Sequence, residues 1–161
     1  MLIFGSLFSC NSSEAQVKNS TYRLLLKTMY KKTVPLLSVQ ELAKNKNKYV
    51  LLDAREMAEY EVSHIENAVF VGYDDFKAKR VADMDKKQPV LVYCSVGYRS
   101  ERIGEKLQKM GFEEVYNLNG GIFEWLNQDE KVVDKQEQKT KKVHAFSKTW
   151  GIWVEKGEKV Y

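Results

Sequence analysis

The chain has 161 residues, 43% of them apolar, which suits one domain with a single core and an appendage. Its net charge of +4 is small and carried mostly by dispersed lysines, with no basic stripe interleaved with aromatics, which argues against nucleic acid as a partner. Two cysteines, Cys10 and Cys94, and two histidines, His64 and His144, form no CxxC pair and no ligand spacing, so neither a metal site nor a cofactor is expected.

Residues 1–19 read as a signal segment and polar tether. Met1 to Cys10 is apolar and ends in Leu7-Phe8-Ser9-Cys10, and the chain turns polar at once from Asn11 to Gln16. That resembles the processing box of a bacterial lipoprotein, with a lipid carried on Cys10 after cleavage. The expected place is then the cell envelope, with the domain facing the periplasm. No basic residue precedes the apolar run, which is short for a signal core. The alternative is a frayed apolar N-terminus on a cytoplasmic protein. No other stretch is long and apolar enough to span a membrane.

From Thr21 to Lys32, Tyr22, Leu25, Leu26 and Met29 fall at i, i+3, i+4 and i+7, which predicts a helix with one apolar face. Val34 to Leu37 is a short strand candidate. Ser38-Val-Gln-Glu41 matches a capping box that opens a helix through Asn45. Tyr49 to Asp53 reads as a buried strand ending in a carboxylate. Glu56 to Tyr60 is a short helix, His64 to Ala68 a loop, and Val69 to Val71 a second short strand. Tyr73 to Met84 carries a helical pattern. Pro89 to Tyr93 is a strand that delivers Cys94 to a Gly-containing loop, and a helix is expected from near Ser100. Ile103, Leu107 and Met110 mark its buried side, and Gly111 its C-cap. Glu114 to Leu118 is another strand, and Gly120-Gly121 opens a helix with Phe123, Trp125 and Leu126. Residues 130–142 read as a charged, exposed connector. The aromatic stretch from Val143 to Trp153 is expected to fold back onto the domain, because disordered tails are poor in such residues.

Strands alternating with helices predict an α/β fold: a parallel sheet flanked by helices on both faces, one domain with an aromatic C-terminal extension. The domain proper spans residues 20–129 and the extension 130–161. Ligands of such sheets sit beyond the carboxyl ends of the strands, where Asp53 and Cys94 both fall. Cys94 stands between a strand and the N-terminus of a helix. Loop N–H groups and the helix dipole there can stabilise an anion, and thiolate is the reactive form of cysteine.

The stretches Leu51-Leu-Asp-Ala-Arg-Glu56, Glu59-Tyr60, His64-Ile-Glu-Asn-Ala68, Val90-Leu-Val-Tyr-Cys-Ser-Val-Gly-Tyr-Arg-Ser100 and Asn117-Leu-Asn-Gly-Gly-Ile122 with Trp125 resemble, in order and spacing, a single-domain rhodanese-like sulfurtransferase. The resemblance runs from about Leu36 to Asn127. Ser63 stands where that family often has Gly, and Glu66 where it often has Pro. Membership implies that Cys94 is a nucleophile that takes the outer sulfur of a donor such as thiosulfate, holds it as a persulfide and passes it to a thiophilic acceptor. Ser95, Val96, Gly97, Tyr98 and Arg99 would form the substrate-binding loop. Within it Gly97 is expected at positive φ, and Tyr98 could also wall the pocket. Arg99 would either hold donor oxygens in its fork or brace the loop by a salt bridge. The family's D-x-R pair, here Asp53 and Arg55, resembles a brace near the loop; the plainer reading has Asp53 cap the next helix. His64 is expected to be a fold element rather than a base, and Gly120-Gly121 a tight helix start, since the Lys-Ser/Thr of a phosphate loop is missing.

The implied partners are a small anionic sulfur donor and a thiophilic acceptor, with the protein a monomer. Two other readings stand beside this one. A phosphatase or arsenate reductase on a related loop would show C-x5-R, whereas this chain shows C-x4-R. A non-catalytic module that binds a partner or senses sulfide shares the same fold. Arg99 is the loop's one cation, so neither oxyanion nor carboxylate donors are selected by it.

Overall fold

A computed structural model describes residues 17–161, so Cys10 and the Leu7–Cys10 box lie outside the described residues. The core is a five-stranded parallel sheet in the order β1-β5-β4-β2-β3. Its strands are β1 (Leu36–Leu37), β2 (Val50–Asp53), β3 (Val69–Phe70), β4 (Val90–Tyr93) and β5 (Val115–Leu118). The central strands are apolar at most buried positions, with Asp53 and Asn117 the polar exceptions. Leu51, Leu91, Tyr93 and Leu118 enter one cluster, and Leu52, Val90, Val92 and Val115 the other. Strands buried on both faces need helices on both faces.

The first face is covered by α1 (Ser20–Met29), α2 (Val39–Asn45) and α5 (Gly121–Asn127), through Tyr22, Leu26, Leu42, Ile122 and Phe123. Ser38 caps α2 by accepting the Glu41 N–H at 3.0 Å. The second face is covered by α4 (Tyr98–Lys109), through Ile103 and Leu107. A shorter α3 (Met57–Val62) sits between β2 and β3 in sequence, opened by a capping box of Glu56 and Glu59.

Two expectations are corrected. Tyr73 to Met84 is not a helix; it holds only one 3-10 turn, Ala78–Val81. Its backbone closes i to i−3 bonds, such as Arg80 N–H to Lys77 O at 2.9 Å, while the Arg80 guanidinium ties the carbonyls of Val71 and Asp75. Such side-chain bonds to the backbone compete with helix. Residues 130–142 are not a bare connector. They contain a hairpin of β6 (Val132–Val133) and β7 (Lys139–Thr140), with both valines buried and Val133 bridged to His64. A β-branched pair inside a charged run was enough to make a strand. The helix expected from near Ser100 is α4, which opens at Tyr98, where Gly97 at φ +103 lets the chain turn straight into helix.

The C-terminal segment folds back. β8 (Lys142–His144) pairs in parallel with β9 (Glu158–Val160), and α6 (Lys148–Gly151) lies between them. Trp153 stacks on Tyr22 of α1 with ring centroids 5.2 Å apart. Asn127 at the end of α5 donates to Trp153 O at 2.8 Å and accepts the N–H groups of Glu155 and Lys156. Among the described residues no helix is long and apolar enough to cross a membrane.

Candidate active site

Cys94 follows the last residue of β4, which runs between β2 and β5. It therefore emerges at the carboxyl edge of the sheet, next to Asp53, which is in register with Tyr93. The side chain is buried. The Gly97 N–H donates to Cys94 Sγ at 3.1 Å. Ser100 Oγ lies 3.5 Å from the same sulfur and 2.7 Å from Asn117 Oδ1, so its one proton can serve either acceptor.

The loop is held by its carbonyls. Cys94 O accepts from Ile122 N–H at 2.9 Å and Ser95 O from Phe123 N–H at 3.2 Å, both at the start of α5. Val96 O accepts from the Tyr30 hydroxyl at 2.6 Å, and Gly97 O from Asn117 Nδ2 at 2.9 Å. Four successive carbonyls thus have donors outside the loop, which fixes the peptide planes and presents the Gly97 N–H to the sulfur. Tyr30 also accepts the Gly120 N–H at 3.1 Å, and burial holds its hydroxyl well above the usual tyrosine range, as a donor. Two glycines make the close approach possible. A Cβ on Gly97 would come within 2.2 Å of Tyr30 Oη, and one on Gly121, at φ +60, within 2.4 Å of Cys94 O.

Arg99 does not reach into open space. Its Nη1 donates to Glu59 Oε2 at 2.6 Å and its Nη2 to Glu59 Oε1 at 2.7 Å. Ser95 Oγ donates to Glu59 Oε1 at 2.9 Å and accepts from Arg99 Nη2 at 3.0 Å. Glu59 is buried on α3 and also accepts the Glu56 N–H. Burial pushes the Glu59 carboxyl up, but the hydrogen bonds and charge of Arg99, with the charge of Arg55, outweigh it and hold it at about 2. The loop is therefore crossed by a pair that is ionised at neutral pH.

Asp53 and Arg55 are fully buried and bond each other, Nη2 to Oδ2 at 2.6 Å. Arg55 also donates to Ser63 O, and Asp53 accepts the Arg55 N–H. Asp53 does not cap α3; that position belongs to Glu56. His64 stacks on Tyr60 and faces Glu137, outside the Cys94 cavity. Arg102 is paired with Glu101 and lies over the Tyr98 ring, likewise outside it.

A cavity of about 230 Å³ opens over Cys94. Its walls are Ser95, Val96, Tyr98 and Arg99 of the loop, Met29 of α1, and Phe146 and Trp150 of the C-terminal segment. Sequence reasoning assigned no role to Glu59, Tyr30, Ser100 or Asn117, and left open whether the aromatic stretch holding Phe146 and Trp150 covers the site, joins protomers or packs on the sheet. The one local signal was Glu59 at the N3 position of α3, which reads as a cap and not as a partner for Arg99. Among the described residues no three His, Cys, Asp or Glu side chains are placed to hold a metal ion.

The Rhodanese-like domain family matches residues 38–128. The chain is 38% identical over 97 residues to the thiosulfate sulfurtransferase GlpE of Coxiella burnetii, which covers 60% of this chain and 88% of that protein. It is 35% identical over 81 residues to the tRNA uridine(34) hydroxylase of Erwinia tasmaniensis, covering 47% of this chain and 23% of that one. In structure it is similar to the BH2092 protein of Bacillus halodurans, with a TM-score of 0.58 at 20% identity, over 71% of this chain and 84% of that one.

Proposed function

The chain belongs to the rhodanese-like family, and on that premise we propose that it is a sulfurtransferase that carries a sulfane sulfur on Cys94. The Cys94 thiolate attacks the outer sulfur of thiosulfate or of a persulfide donor. The donor's S–S bond breaks, and sulfite or a thiolate leaves with the electron pair. Cys94 is left as Cys94–S–S⁻. A thiophilic acceptor then attacks the outer sulfur and releases the Cys94 thiolate. Each stage is anionic at or next to Sγ.

The observation that carries this reading is the Gly97 N–H at 3.1 Å from Cys94 Sγ, on a loop whose four carbonyls are held from outside. A prearranged donor at a site of developing charge needs no reorganisation during the reaction. Ser100, 3.5 Å from the sulfur, is a second donor that can turn to the charge when it forms. In this reading Ser95 and Arg99 keep the loop in shape through Glu59, and Asp53 with Arg55 braces the strand end beneath it. A lipid on Cys10 would hold the domain at the envelope; it belongs to the same proposal and is tested by mass of the membrane fraction from wild type and Cys10→Ser.

The test of the reaction is the intact mass of the purified protein before and after thiosulfate or a small persulfide, with Cys94→Ser beside it, followed by cyanide. Wild type should gain one sulfur, lose it to cyanide as thiocyanate, and the variant should gain none. A reduced wild-type protein that gains sulfur from neither donor would move the assignment to a binding module.

A further inference from the structure

We propose that Phe146 and Trp150 are specificity-determining residues, which select a low-charge organic sulfur donor carrying an apolar group over inorganic thiosulfate. The inference rests on the sulfurtransferase reading and names the substrate class of that site. Both residues belong to the C-terminal segment, beyond the residues that match the family, yet they wall the cavity that holds Cys94.

The first argument is charge. Among the described residues Arg99 is the only cation that lines the cavity. Both its outer nitrogens donate to Glu59, and its face is covered by the Phe146 ring, 5.3 Å away. The pair is neutral as a unit. A dianion entering here would lose water and meet no free counter-charge, which is costly. A monoanion with an apolar group loses less and buries apolar surface against Met29, Tyr98, Phe146 and Trp150.

The second argument is placement. Phe146 sits at φ +63, a backbone region that a bulky side chain seldom takes. Its neighbours hold it there: Ala145 N–H bonds Val160 O at 2.8 Å, Ser147 N–H bonds Ala145 O at 2.7 Å, and its own N–H bonds His144 Nδ1 at 3.1 Å. The ring stays half exposed at the cavity mouth, so it gains little from burial in the free protein. The third argument is size. An apolar cavity of about 150 Å³ accommodates benzene, and this one is larger, about 230 Å³.

The probe is benzenethiosulfonate, which has the same outer sulfur as thiosulfate but one charge fewer and a ring. Cys94–S⁻ attacks that sulfur, the donor's S–S bond breaks, and benzenesulfinate leaves with the electron pair; cyanide then removes the sulfur as thiocyanate. The measured quantity is the ratio of kcat/KM for benzenethiosulfonate to that for thiosulfate. It should exceed about tenfold in wild type and fall about fivefold or more in Phe146→Asn and in Trp150→Leu. Asn tolerates positive φ, so the first variant removes the ring and keeps the turn. Phe146→Lys, which adds a free cation, should move the ratio further toward thiosulfate. A wild type that prefers thiosulfate, or a ratio unchanged across the three variants, overturns the assignment. If wild type forms a persulfide with neither donor, the sulfurtransferase reading itself falls, and the assignment with it.

Discussion

Arg99 meets Glu59 fork to fork, with Nη1 on Oε2 at 2.6 Å and Nη2 on Oε1 at 2.7 Å. The pair ties the first turn of α4 to α3, and Ser95 joins it through its hydroxyl. Removing one partner leaves a mostly buried charge alone. Glu59→Ala should therefore lower stability by about 3 kcal/mol, measured by urea unfolding, and reduce persulfide yield as Ser95 and Arg99 shift. Arg99→Lys keeps the charge but loses the fork, and should cost less than Glu59→Ala while staying below wild type.

The same pair sets an acid limb. Glu59 is held at about 2 in the folded protein, against an ordinary value of 4.5. A depressed carboxylate contributes stability above its unfolded pKa and loses it as pH falls through the folded one. The contribution, on the order of 3 kcal/mol, is thus complete at neutral pH and disappears between about 4.5 and about 2. Urea unfolding across that window should show the fall in wild type. Glu59→Gln should show a flatter limb over the same window.

Tyr30→Phe tests the carbonyl clamp. It removes one oxygen that donates to Val96 O and accepts from Gly120 N–H, both buried. Two backbone groups are left without that partner, at a cost of about 2 kcal/mol or more. Sulfur loading of Cys94, followed by mass, should slow, because the peptide planes before Gly97 are then free to turn.

Gly121→Ala and Gly111→Ala separate contact from backbone strain. Both glycines have positive φ. A Cβ at Gly121 would meet Cys94 O at 2.4 Å and Ser95 O at 2.5 Å, whereas one at Gly111 meets only the Lys86 side chain at 3.7 Å. Gly111→Ala should cost about 1 kcal/mol, the strain alone. Gly121→Ala should cost about 3 kcal/mol or more and lower sulfur loading, since the α5 bonds to the loop carbonyls cannot keep their length. Thermal unfolding of the two variants makes the comparison.

The placement of Cys94 was legible because it rests on short-range pattern. An apolar run ends at it, and the helix that follows shows its apolar side at Ile103 and Leu107. The failed helix from Tyr73 to Met84 shows the limit of the same method. Its spacing is helical, but Arg80 reaches back to Val71 and Asp75, and the backbone follows those bonds. The valine pair in β6 was hidden by the charges around it, and became visible through its pairing with β7 and its bridge to His64.

By itself the sequence determined the alternation of strands and helices, the cysteine at the carboxyl end of a central strand, and the four-residue spacing to Arg99. These depend on side-chain periodicity and on neighbours a few positions apart. Only the tertiary structure decided what Arg99 holds, which groups pin the loop, and what covers its mouth. Glu59, Tyr30, Asn117 and Phe146 come from α3, the end of α1, β5 and the C-terminal segment. No local pattern encodes a hydrogen bond or ring contact between elements so far apart in the chain; the packing of both sheet faces brings them to one edge.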